Sequence, residues 1–140
     1  MLTKMRTVLA LVVTMSSGGP VIAIEKCPVN DIDSEKAGSY AKAVEAALRK
    51  APNCERAYRM LEACQLGSTA DNALSVTVQS KCEPMFIDKA DAATKKAYKR
   101  AQLRCDKIAE RNSGTMYQSF AAVCLAGAAR DFARKYSGAK

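Results

Sequence analysis

The chain contains no histidine and no tryptophan, and only three phenylalanines among its 140 residues. Without histidine it lacks the commonest general base, the commonest zinc ligand and any Ser-His or Cys-His nucleophile pair. No CxxC or CxxH spacing occurs, so neither a zinc site nor any other metal or cofactor motif can be assembled from the six cysteines. Carboxylates that stand close in sequence, Asp31 with Asp33 and Glu55 with Glu62, read as helix caps and surface charges. These absences exclude the usual catalytic constellations and point away from an enzyme.

No apolar run reaches the ~20 residues that a membrane span requires. The longest lies near the start. Lys4 and Arg6 precede an uncharged apolar stretch, Thr7–Met15, followed by the helix-breaking Ser16–Pro20 and by Val21-Ile22-Ala23. This order of positive, apolar and small residues is that of a cleavable signal peptide, residues 1–23. A membrane anchor is the alternative, and nine apolar residues are too few for it. Glu25-Lys26 ahead of Cys27 puts two charges where a lipidation signal needs small or apolar residues.

The remaining 24–140 form one domain, with no internal repeat and no transmembrane anchor. Without Lys4 and Arg6 it keeps 20 of the 22 basic residues and all 14 acidic ones, a net charge of +6. All six cysteines lie within it: Cys27, Cys54, Cys64, Cys82, Cys105 and Cys124. An even count behind an export signal reads as a disulfide framework, in a periplasmic or secreted protein.

Helical periodicity recurs along the domain, and no convincing strand alternation does. A first helix is expected over 34–50, with Ala37, Tyr40, Ala41, Val44, Ala47 and Leu48 on one face. Pro52 ends it. Asn53 then caps a second helix with the stripe Cys54, Ala57, Tyr58, Leu61 and Cys64. Gly67 is a C-terminal stop, and Ser68 with Asp71 has capping-box spacing for a third helix to about Lys81, although Val76-Thr77-Val78 favours strand by propensity. Pro84-Met85-Phe86 interrupts the pattern. A long helix over 91–111 follows, then the Asn112-Ser113-Gly114 turn. The last helix, to about Tyr136, opens on a Thr115–Gln118 capping box and turns Tyr117, Ala121, Cys124, Leu125, Ala128 and Phe132 inward. The expected fold is all-α, a small disulfide-stapled bundle of four to five helices.

Antiparallel helices joined by a short turn bring together residues equidistant from that turn. Cys105 and Cys124 are centred on the Ser113–Thr115 turn, and Cys54 and Cys82 on Gly67-Ser68. Cys27 precedes a helix whose start should lie beside Cys64. The predicted pairs are therefore Cys27–Cys64, Cys54–Cys82 and Cys105–Cys124. The alternative Cys64–Cys82 would have to cross roughly 18 Å along a full-length third helix. In an alanine-rich interior that buries little area per residue, each bridge is worth about 2–4 kcal/mol.

The most distinctive surface feature is the long basic helix. Lys96, Arg100, Arg104, Lys107 and Arg111 occupy one arc, opposite the apolar face of Ala97, Tyr98, Ala101, Cys105, Ile108 and Ala109. Such an arc suits an anionic partner: lipopolysaccharide, phospholipid headgroups or an acidic protein. It also suits plain solvation of a small exported protein. Nucleic acid is not expected, because no aromatic residues interleave for base stacking. The Ser113–Phe120 segment brings free amides to a helix start, where an anion could bind, but a turn and a capping box explain Gly114, Thr115 and Gln118 without any ligand.

Over 97–133, Tyr98, Arg100, Cys105, Gly114, Thr115, Cys124 and Arg130 follow a pattern: an aromatic-and-basic helix with one cysteine, a Gly-Thr turn, and a second helix with the partner cysteine ahead of an arginine. This resembles the LprI-type family of exported lysozyme-inhibitor-like proteins, which usually carry tryptophan where Tyr98 stands. The resemblance implies an all-helical, disulfide-bonded, non-catalytic protein that binds c-type lysozyme. Such lysozymes are themselves basic, so an inhibitor of charge +6 would approach against repulsion. The segment 54–86 also resembles small exported bacterial proteins, and this adds no activity.

Overall fold

The computed structural model describes residues 26–137. The expected signal segment 1–23 and its cleavage site lie outside the described residues. Six α-helices, a single 3-10 turn and no strand are present among them: α1 Asp31–Ala37, α2 Tyr40–Lys50, α3 Cys54–Cys64, α4 Asp71–Cys82, the 3-10 turn Glu83–Met85, α5 Ala92–Glu110 and α6 Thr115–Ser137. The chain is an all-α, disulfide-stapled bundle.

The first expected helix is two helices, which raises the count above four to five. Gly38 adopts φ +82°, the left-handed conformation that stops a helix, and its N–H donates to the Glu35 carbonyl at 3.2 Å. Ser39 then caps α2, its Oγ accepting from the Lys42 amide at 3.2 Å. Asn30 starts α1 earlier than Ser34 through a reciprocal capping box with Asp33.

Asn53 caps α3 as expected, with Oδ1 accepting from the Arg56 amide at 2.8 Å. Ser68 and Asp71 realise only half of a capping box. The Asp71 carboxylate reaches back to the backbone of the preceding turn, while Ser68 Oγ accepts from the Ala70 amide instead. The strand-favouring Val76-Thr77-Val78 is helical. Tertiary burial overrides propensity here, because Thr77 and Val78 are enclosed and Val76 alone faces outward.

α4 and α6 run parallel through the centre. Going up both helices, Asp71 meets Ser119, Ser75 Oγ donates to the Ala122 carbonyl at 2.5 Å, and Phe86 just beyond α4 meets Phe132. α5 lies antiparallel on α6, α3 crosses antiparallel to both central helices, and α2 flanks α4. The disulfides are Cys27–Cys64, Cys54–Cys82 and Cys105–Cys124, the pairs that the turn midpoints predict.

The larger apolar side chains at the centre are Val44, Leu48, Leu61, Leu74, Val78 and Phe86. Phe86 anchors an aromatic cluster, edge-on to Tyr98 at 5.0 Å, with Phe132 and Tyr136 continuing it. Each such ring pair adds about 0.5–1.5 kcal/mol beyond the area it buries. Elsewhere alanine and glycine bring helices close. At Gly127 an added Cβ would stand 3.2 Å from the Tyr58 hydroxyl, so glycine permits the approach of α3 to α6.

Asp71 is the one acidic residue wholly removed from solvent among those described. A buried carboxylate needs full hydrogen bonding to be tolerated. Asp71 accepts from the Leu66 and Gly67 amides, each at 2.9 Å, and from Ser119 Oγ at 2.6 Å. These hydrogen bonds pin the α3–α4 turn to the base of α6.

Candidate functional site

α5 is a good helix former by composition, rich in alanine, lysine and arginine, and Asp91 fixes its start by accepting from the Thr94 amide at 2.7 Å. Thr94, Tyr98, Ala101 and Cys105 point into the bundle. The inward stripe sets the phase, and this phase turns Lys96, Arg100, Arg104, Lys107 and Arg111 outward. All five are exposed. Their 15-residue span is about 22 Å along the helix axis.

None of the five takes part in an ion pair among the described residues, in contrast with the arginines nearby. Arg59, Arg130 and Arg134 all converge on Glu55: Arg134 at 2.7 Å, Arg59 at 3.0 Å and Arg130 at 3.7 Å. Partial burial pushes the Glu55 carboxyl up, but the hydrogen bonds from Arg134 and Arg59 outweigh it and hold the group below its ordinary value. Glu55 is thus the hub of an arginine cluster, not the simple surface charge that sequence suggests.

Arg130 stacks its guanidinium 4.1 Å above the Tyr58 ring. Its Nε lies 2.7 Å from Asp131 Oδ1, yet the N–H is not aimed at that oxygen and has no hydrogen-bond partner. Burial and a 2.9 Å hydrogen bond to Glu62 push the Tyr58 hydroxyl up to about 12. Arg104 from the basic arc and Arg130 line opposite sides of one groove of about 370 Å³ between α5 and α6. The Cys105–Cys124 bridge, Ala101, Ala128 and Phe132 form its apolar lining. Two of the resemblance residues, Tyr98 and Arg100, diverge: Tyr98 is buried with its hydroxyl on Glu83 at 2.7 Å, and Arg100 faces solvent.

The acidic residues of α5, Asp106 and Glu110, border a second groove, with Asn72, Gln118 and Leu125. Lys95 and Lys99 lie on this same side of the helix, so the five-residue arc is the part of α5 richest in cations and not a face cleared of carboxylates. Sequence reasoning found the cationic arc but not the convergence on Glu55, because Arg130 and Arg134 lie some 75 to 79 residues away along the chain.

No helix among the described residues is long and apolar enough to cross a membrane. The three disulfides point to an oxidising compartment outside the cytoplasm. Comparison of the chain with protein-family models, with curated proteins and with solved structures finds no match.

Proposed function

We propose that this is a non-enzymatic exported protein, periplasmic or secreted, that docks through the outer face of α5 onto an anionic component of the bacterial envelope. One observation carries the reading: five cations share a face about 22 Å long and none is neutralised by an ion pair among the described residues, while neighbouring arginines are. Unpaired charge at that density raises the local concentration of a polyanion and speeds its encounter. Near an anionic leaflet each Lys or Arg contributes about 1 kcal/mol.

The test is adsorption of the oxidised protein to anionic vesicles and to lipopolysaccharide across a salt series. Binding is expected to weaken steeply as ionic strength rises, because surface charges are screened beyond about 10 Å at 0.1 M. The triple variant Lys96→Glu, Arg100→Glu, Lys107→Glu should bind at least about 100-fold more weakly at low salt. Unchanged adsorption by that variant would reject the reading.

Lysozyme inhibition, which the resemblance implies, is the competing outcome. It requires an acidic surface for a basic enzyme, and Glu55 is already engaged by three arginines. A fall in c-type lysozyme activity on titration with the protein, without adsorption to either anionic surface, would favour it.

A further inference from the structure

Leu103 stands among the α5 cations as an exposed apolar side chain. Its relative exposure is 46 %, although inward positions on the same helix, Tyr98 and Cys105, are almost fully enclosed. On a helix, residues three and four apart are surface neighbours. Leu103 is therefore flanked by Lys99, Arg100 and Lys107 and by one carboxylate, Asp106, with Lys96 two turns away on the same line. The four cations are exposed, whereas Asp106 is half-buried.

A solvated face meant only for solubility gains nothing from a leucine at its centre, and a soluble polyanion offers it no apolar contact. An anionic lipid bilayer satisfies both features together. Phosphates lie at the level of the cationic tips, and the acyl boundary lies 5–10 Å deeper, within reach of an apolar side chain on a helix lying flat. Long Lys and Arg side chains keep their charges at headgroup level while their stems follow the apolar surface.

Building on the docking role of α5, we propose that its partner is the surface of an anionic phospholipid bilayer and that Leu103 inserts between the headgroups. The cations supply long-range attraction and Leu103 a short-range contribution that salt does not screen. Residual binding at high salt should therefore depend on this side chain.

The chain has no tryptophan, so Leu103→Trp places a single fluorescent reporter at the predicted point of insertion. With equimolar phosphatidylglycerol and phosphatidylcholine vesicles its emission should shift to the blue. Lipids brominated high on the acyl chain should quench it. Soluble polyglutamate should produce no shift. Leu103→Ser should weaken vesicle partitioning roughly five-fold and abolish the high-salt residue. Circular dichroism should show unchanged helix content, since the side chain is peripheral. An unshifted emission, with Leu103→Ser binding as well as the parent, overturns insertion and leaves charge docking standing. Absence of any salt-sensitive adsorption by the parent overturns the docking role and the insertion together.

Discussion

At the scale of single residues, Asp71 shows how a sequence motif changes its meaning in three dimensions. Its spacing from Ser68 reads as a local cap. In the fold its carboxylate gathers amides from the α3–α4 turn and a hydroxyl from α6. Ser119, 48 residues away, has no signal in sequence, because serine on a helix is ordinarily exposed. Asp71→Ala would leave buried donors without an acceptor, at about 1–3 kcal/mol for each group stranded. Urea denaturation should therefore show a loss of at least about 3 kcal/mol, against a typical total of about 5–15. A loss below 1 kcal/mol would mean that the turn is held by other contacts.

At the scale of elements, legibility followed the contrast between large apolar and charged residues. α3 and α5 carry one such face each and were readable. α6 packs on two sides, and only its α5-facing stripe, with Cys124, Leu125, Ala128 and Phe132, stands out in the sequence. The α4-facing stripe of Ser119, Ala122, Ala126, Ala129 and Ala133 is built from small residues and carries little hydrophobic signal. The break at Gly38 was hidden because the apolar spacing continues across it. Phe86 looked like part of an interruption, yet the 3-10 turn delivers it to the centre of the aromatic cluster. The basic face was legible as an arc, but that its five cations form no ion pair among the described residues was not, since that depends on where α3 and the end of α6 come to lie. The Cys105–Cys124 bridge joins α5 to α6 across a 19-residue separation, for which loop-closure entropy gives about 3 kcal/mol. The double variant Cys105→Ser, Cys124→Ser should lose about that amount in chemical denaturation. Amide exchange should accelerate most along α5.

At the scale of the whole molecule, stability should fall at alkaline pH. The Tyr58 hydroxyl is raised from about 10 to about 12 by burial and by its hydrogen bond to Glu62. The Tyr98 hydroxyl is raised for the same reasons, with Glu83 as its partner. A group that holds its proton more tightly when folded stabilises fully below its unfolded value and loses that contribution as pH climbs toward the folded one. The expected window therefore opens near pH 10. Thermal unfolding followed from pH 8 to 11.5 should show a flat melting temperature that declines above 10, and Tyr58→Phe should make the decline shallower. An identical decline in that variant would assign the effect elsewhere.

The order of the cysteines divides this molecule in a way that its packing conceals. Cys27–Cys64 and Cys54–Cys82 interlace, so that everything from Cys27 to Cys82 is one covalent unit, whereas Cys105–Cys124 closes a loop of its own. Only the backbone between Cys82 and Cys105 connects the two. A single proteolytic nick there, for instance at the exposed Asp88-Lys89 beside the start of α5, would leave two disulfide-closed fragments. Non-covalent packing alone would keep them associated: α4 and α3 against α6, with the Glu55 arginine cluster, and the Phe86 cluster with the Tyr98–Glu83 hydrogen bond. The basic helix belongs to the smaller fragment, so a cleaved molecule would carry the cationic face of α5 on a piece able to part from the larger one.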